Sequence, residues 1–152
     1  MRNSPLPRDE GFSLIETAIV LLIIGVLVGI AIPMYRAQAD QARNVRAQAL
    51  VRDAISVESA IHITTGSCSR NRRQLESFEP SFQWNQAGNP PGSVRIRMRN
   101  STNGQEVCAY SQSESGIWFA IYRTQETTRY GRPDRLRSCS PNIARDWSPD
   151  GW

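Results

Sequence analysis

The sequence predicts an α+β fold in which one long N-terminal helix packs by its second half on a small antiparallel β-sheet. Two observations lead to this prediction. An apolar run near the N-terminus passes directly into a second helical pattern, and beyond both the apolar residues change from a three-to-four-residue step to strand-like alternation. The chain has 152 residues, enough for one domain plus an appendage.

The first element is an apolar stretch of about twenty residues at positions 12–32, long enough to cross a hydrocarbon core of about 30 Å as a helix. Length alone predicts a single-pass membrane anchor or a secretory signal. Glu16 interrupts the stretch, and an unpaired carboxylate in hydrocarbon is costly, so Glu16 needs a partner. Gly25 and Gly29 form a small-x-x-x-small pair that lets helices approach closely. Pro33 predicts a kink, local melting or the membrane boundary.

The second half of the predicted helix covers residues 35–65. Residues 34–64 contain no Gly or Pro, and Gly66 is suited to the C-cap. His62 lies beside the apolar stripe near the helix end, which favours a structural or capping role over a catalytic one. The stripe recurs at three- and four-residue steps and comprises Ala47, Leu50, Ala54, Val57 and Ile61.

Residues 66–152 are predicted to form a globular head. Residues 66–93 show no clear period and predict an irregular connection, whose aromatic residues Phe78, Phe82 and Trp84 are expected to pack on the core. Three strands are predicted beyond it, at 94–99, 107–110 and 117–122, with a hairpin turn at residues 103–104. The polar region after residue 123 has little periodicity, so we expect a covalent link to hold it.

The first predicted strand places Arg95, Arg97 and Arg99 on one face of the sheet, opposite its apolar residues. The simplest interpretation is a solvated outer face. A sharper hypothesis is a phosphate-binding stripe that would let the protein capture DNA. All 18 basic residues are arginine, and the net charge of +4 is spread along the chain and not gathered in a tail.

The three cysteines, Cys68, Cys108 and Cys139, lack the paired C-x-x-C spacing of a zinc site, and His62 is the single histidine. In an oxidising compartment two of them can form a bridge. We favour Cys108 with Cys139, which closes a loop of about thirty residues and fastens the C-terminal region to the sheet. A bridge from Cys68 to either partner remains open. We also find no catalytic triad, phosphate loop or metal cluster, and therefore expect no enzyme activity, cofactor or metal.

One short motif resembles a known family. The string Gly11-Phe12-Ser13-Leu14-Ile15-Glu16, followed by the apolar run and Pro33, resembles the class III signal of type IV pilins and type II secretion pseudopilins. The resemblance implies the type IV pilin fold and a leader of residues 1–11, which prepilin peptidase removes by cutting between Gly11 and Phe12. It also implies N-methylation of Phe12 and pairing of Glu16 with the N-terminal amine of an adjacent subunit.

The same resemblance implies partners and a location. The partners are other copies of the chain, related minor pilins, prepilin peptidase, the pilus assembly machinery and the membrane. Before assembly the chain would cross the cytoplasmic membrane once, at residues 12–34, with its C-terminus outside, and afterwards it would form a cell-surface filament. Four arginines soon after the span and two before it favour the opposite orientation by the positive-inside rule.

Three functional hypotheses follow. The first is a subunit of a type IV pilus-like filament used in adhesion, motility or DNA uptake. The second is a pseudopilin of a type II secretion system, whose head often carries an Asp-rich calcium loop; the sequence contains no such loop, which favours the first hypothesis. The third is a single-pass membrane protein with an extracytoplasmic binding domain.

Overall fold

The computed structural model describes residues 13–98, 106–133 and 147–152. These residues divide into two compact units with the boundary between Ala39 and Asp40. The first unit holds the beginning of the long helix α1, and the second holds the rest of it and the head. The elements in chain order are α1 (Leu14–Thr65), α2 (Arg72–Phe78), β1 (Gln83–Trp84), β2 (Ser93–Met98), β3 (Val107–Gln112), β4 (Trp118–Arg123) and β5 (Thr128–Gly131).

The sheet has five strands in the order β1-β2-β3-β4-β5. Neighbours β2 to β5 pair antiparallel, and β1 pairs parallel with β2. The three predicted strands correspond to β2, β3 and β4, so the predicted α+β class with a long helix and a meander is confirmed. The predicted turn at residues 103–104 lies outside the described residues.

Residues 66–93 are more regular than predicted, because they contain α2 and β1. Asn71 caps α2: its side-chain oxygen accepts a hydrogen bond of 3.0 Å from the backbone N–H of Arg73. Arg72 and Glu76, one helical turn apart, form an ion pair at 2.6 Å on the exposed side. A good cap and a favourable pair thus stabilise a helix of only seven residues.

The buried stripe of α1 differs in phase from the predicted one. Ala47, Ala54 and Ile61 are buried as expected, whereas Leu50 and Val57 are only partly buried. The buried residues between them are Val51, Ile55 and Glu58. The stripe therefore runs through positions 47, 51, 54, 58 and 61, in alternating steps of four and three residues. The residue at position 58 is a glutamate. The sequence pattern placed Val57 on the stripe instead of Glu58 because Val57 is apolar and adjacent to that glutamate.

The helix face and one face of the sheet share the main core. Val94 and Ile96 of β2, Val107 and Ala109 of β3, and Phe119 and Ile121 of β4 belong to it. Trp84 is fully buried there, and Phe82 packs on it at a ring-centroid distance of 5.2 Å, as predicted. Phe78 was predicted to pack on the core, and this prediction is wrong. Phe78 is the last residue of α2 and is 40 % exposed, whereas Leu75 is the residue that this short helix buries.

The C-terminal residues contribute a second set of aromatic contacts. The Trp152 ring packs against Phe119 and Tyr130 at centroid distances of 5.6 and 5.2 Å, and its indole N–H donates to the Gly131 carbonyl at 3.0 Å. Ser148 exchanges two backbone hydrogen bonds with Tyr130. The expectation that only a covalent link would hold this end is therefore wrong for residues 147–152.

The predicted end of α1 at Gly66 is confirmed. Gly66 has a φ of 80°, and its N–H donates to the His62 carbonyl at 2.8 Å, as expected of a residue that ends a helix. Arg43 pairs with Asp40 at 2.9 Å on the exposed side of the helix.

Candidate assembly segment and head cavity

The first unit presents an apolar helical surface. Every residue from 13 to 38 is exposed, including Leu14 at 91 % and Leu22 at 68 %. An 18-residue window of α1 reaches a mean hydropathy of 2.8 with none of it buried, so α1 is long and apolar enough, by length and composition, to cross a membrane. A surface of this kind is stable only when lipid or other apolar helices cover it.

Glu16 lies in the first turn of α1, which begins at Leu14. The exposed N–H groups and the helix dipole favour a carboxylate at this end. The Ser13 carbonyl accepts the first helical hydrogen bond, from the Thr17 N–H at 3.1 Å. No ion pair of Glu16 occurs among the described residues. Gly11 and Phe12, the predicted cleavage and methylation positions, lie outside those residues.

Gly25 and Gly29 leave one side of the helix open. A Cβ atom added at either glycine would meet no atom within 4 Å. The space that both residues leave is therefore available to a second helix, as the small-x-x-x-small spacing predicts. The helix continues through Pro33, so the proline does not end it.

Known proteins are similar to this chain. A family model described as the prokaryotic N-terminal methylation motif matches residues 6–32. The type IV narrow pilus major component PilA5 of Thermus thermophilus is 36 % identical over 95 residues, which cover 62 % of this chain and 76 % of that relative. The chain belongs to the type IV pilin family. The type IV wide pilus major component PilA4 of the same organism is 24 % identical to this pilin over 140 residues, 88 % of this chain and 98 % of the relative.

The arginines of β2 lie on the sheet face opposite the main core. Arg95 is half-buried, and Arg97 is exposed. The Arg97 guanidinium donates from Nε to the Tyr110 hydroxyl at 3.1 Å and lies 5.9 Å from the centroid of that ring. Arg99 lies outside the described residues.

This face is less solvated than the simplest interpretation predicted. A second cluster buries Cys108, Tyr110, Ala120, Tyr122 and Trp147 on it. Alternation correctly placed Arg95 and Arg97 together, but it could not reveal that the face beside them is covered. DNA binding by this face stays a prediction.

The cysteines of this pilin occupy different environments. Cys68 is a half-buried free thiol, so a bridge from Cys68 is not formed. Cys108 is buried in β3, and Cys139 lies outside the described residues. The pairing of Cys108 with Cys139 stays a prediction.

A buried carboxyl group in the second unit was not found by sequence reasoning. Glu58 on α1 is 1 % exposed, and its Oε2 accepts a hydrogen bond of 3.0 Å from the Ser69 N–H. Its Oε1 has no hydrogen-bond partner among the described residues. Burial raises the pKa of Glu58 from 4.5 to about 7, and hydrogen bonds to the carboxylate from the Ser69 N–H and the Cys68 thiol act in the opposite direction. The sequence feature that could have revealed this buried group is its position four residues after Ala54, on the buried stripe of the helix.

Cys68 and Arg123 adjoin this carboxyl group. Burial, and then the nearby Glu58 carboxylate, raises the pKa of the Cys68 thiol from 9.0 to about 11, although the Arg123 guanidinium acts in the opposite direction. Arg123 donates a short hydrogen bond to the Ser59 hydroxyl, which in turn donates to the Ile55 carbonyl at 2.7 Å. The thiol is therefore protonated at neutral pH and is a poor nucleophile.

A cavity of about 220 Å³ lies over Glu58. His62 lines it, and the His62 Nδ1 is buried without a hydrogen-bond partner in the described part of the chain. The described residues contain no group of three His, Cys, Asp or Glu side chains arranged to hold a metal ion. The lining residues are Glu58, Ser59, His62, Cys68, Val107, Arg123, Thr124 and Gln125.

Proposed function

We propose that this pilin is a structural subunit, not an enzyme, that is stored in the cytoplasmic membrane and polymerised with its own copies and related minor pilins into an extracellular type IV pilus-like filament. The observation that carries the proposal is the exposed apolar segment at residues 13–38. Lipid covers such a surface before assembly and neighbouring helices cover it afterwards, so extraction exchanges one apolar environment for another.

Processing supplies the charge that the segment lacks. Prepilin peptidase cuts between Gly11 and Phe12 and methylates the new amine, which remains cationic. Glu16 lies four residues further on, so an amine on the same helix or on an adjacent subunit can neutralise it. A charged pair costs less in an apolar surrounding than an isolated carboxylate, which favours assembly of processed subunits over unprocessed ones.

The head is placed outside the membrane and forms the filament surface. The pilus assembly machinery extracts the subunit, and the filament serves adhesion, motility or DNA uptake. The matched relatives are named as major components of pili, which favours a pilus subunit over a type II secretion pseudopilin.

Substitution of Glu16 tests the proposal. In cells that lack the wild-type chain, Glu16→Val should be processed normally and should yield few or no filaments. Asp40→Asn, which removes an exposed carboxylate from the second unit, is the matched control and should assemble normally. Filaments would be sheared from cells and quantified against the membrane-bound chain. Wild-type filament yield from Glu16→Val would overturn the proposed role of Glu16.

A further inference from the structure

The cavity over Glu58 is not explained by filament assembly through the first unit. It lies within the second unit, between the end of α1, the segment that carries Cys68, and the β3 and β4 strands. Two polar atoms of its lining residues are buried without a partner among the described residues, the Glu58 Oε1 and the His62 Nδ1. A buried polar atom without a partner is destabilising, so the two atoms together indicate a bound group that completes them.

The size and exposure of the cavity allow such a group to enter. Its volume of about 220 Å³ exceeds that of a single water molecule, about 30 Å³ in the liquid. Gln125, one of the lining residues, is exposed, so the cavity reaches solvent on that side.

The two unpartnered atoms determine which chemistry fits. The ionised carboxylate only accepts hydrogen bonds, and the His62 Nδ1 also accepts when the ring proton is on Nε2. A ligand with several donors and no acceptor satisfies both atoms, and a primary ammonium ion has this property. Val107 provides an apolar wall for a short alkyl group.

The charges that face the carboxyl group are compatible with a small cation. Arg123 is the cationic side chain in the lining, and its guanidinium donates to the Ser59 hydroxyl. The Cys68 thiol remains neutral at neutral pH. The ionised Glu58 carboxylate is therefore the charge available to a ligand, while the nearby guanidinium weakens the attraction.

We propose that the cavity binds a small primary ammonium ion, with the Glu58 carboxylate as counter-ion and the His62 Nδ1 as second acceptor. Binding requires an ionised carboxyl group and a neutral imidazole. With the pKa of Glu58 at about 7, the site is competent above neutral pH and is lost on acidification. By linkage, binding releases a proton from Glu58 and lowers its apparent pKa.

The test uses the full chain in detergent micelles with ¹³C-labelled glutamate. Carboxyl resonances would be titrated with pH in ammonium or methylammonium chloride, and in tetramethylammonium chloride at equal ionic strength. Tetramethylammonium carries the same charge but has no N–H donor. We expect ammonium and methylammonium to lower the apparent pKa of Glu58 by about one unit, a tenfold change in proton affinity, and tetramethylammonium to leave it unchanged.

Two variants assign the effect. Methylammonium should raise the thermal unfolding temperature of the wild-type chain at about pH 8. Glu58→Gln should abolish this stabilisation and remove the titrating resonance. Asp53→Asn, which removes an exposed carboxylate from the same helix, should retain both. Equal shifts of the Glu58 pKa in all three salts would overturn the proposal, because they would reflect ionic strength alone. No shift in any salt would overturn it as well. Either result leaves the assembly role of Glu16 unaffected.

Discussion

The Glu58 carboxylate of α1 accepts a hydrogen bond of 3.0 Å from the backbone N–H of Ser69, in the segment that follows the helix. The bond ties the end of the long helix to the start of the head through a group that is 1 % exposed. The carboxyl group interrupts the apolar stripe of α1 and is the most strongly buried charge-bearing side chain among the described residues.

Burial of Glu58 makes the stability of the head depend on pH. Its pKa is raised from 4.5 to about 7, so the folded state binds the proton more tightly than the unfolded state. The stabilisation from this group is fully present below about pH 4.5 and is lost as the pH rises through about 7, a change of about 3 kcal/mol. We expect the difference in unfolding free energy between wild type and Glu58→Gln to fall over this range in urea titrations.

Asp53→Asn is the control for that experiment, because it removes an exposed carboxylate from the same helix. Its difference from wild type should vary little with pH. If the difference in unfolding free energy between Glu58→Gln and wild type were equally independent of pH, Glu58 would not titrate between about pH 4.5 and 7.

Cys68 should react slowly with alkylating reagents. Its pKa of about 11, against an ordinary 9.0, lowers the thiolate fraction near pH 8 about a hundredfold. We expect iodoacetamide to label Cys68 about a hundred times more slowly than an exposed cysteine, as measured by mass spectrometry of the peptide that contains it. Glu58→Gln should accelerate the labelling, because the carboxylate contributes to the raised thiol pKa. Unchanged labelling in that variant would contradict an effect of Glu58 on the thiol.

Gly131 in β5 is required by the packing of Trp147. A Cβ atom at this position would overlap the Trp147 ring, so Gly131→Ala forces the ring to move. We expect a loss of about 1–3 kcal/mol in unfolding free energy, measured by denaturant titration. Gly131→Ala should cost less in a Trp147→Leu background than in wild type, because the smaller side chain leaves room for the methyl group. Full additivity of the two substitutions would show that they do not interact.

The arginine face provides a test of nucleic-acid binding. If Arg95 and Arg97 contact phosphates, replacing both by alanine should weaken DNA retention by the full chain and reduce the salt slope of binding by about two. Arg72→Ala, which removes an arginine from the exposed ion pair of α2, is the control. Retention equal to wild type in the double variant would eliminate the DNA hypothesis for this face.

Periodicity predicted the elements that are long and regular. Helix α1 and strands β2 to β4 each repeat a pattern over enough residues to be recognised, and Gly66 marked the helix end. The phase of the buried stripe was misjudged because Glu58 occupies one of its positions. A charged residue on a buried stripe is recognised only once its hydrogen bonds and cavity are known.

Short elements could not be predicted in the same way. β1 has two residues and β5 has four, and each depends on a neighbouring strand for its hydrogen bonds. The burial of Tyr110 and Tyr122 on the outer face likewise depends on segments that are distant in sequence. In contrast, the apolar helix and its family motif could be predicted because the motif and the apolar length are contiguous in sequence. The cleavage before Phe12, its methylation and the pairing of Glu16 stay predictions.

The proposed cleavage before Phe12, which would create the cation that Glu16 requires, is tested most directly by N-terminal mass analysis of subunits from purified filaments. We expect every assembled subunit to begin with N-methylated Phe12 and to lack residues 1–11. Filaments built from subunits that retain Met1 would contradict it.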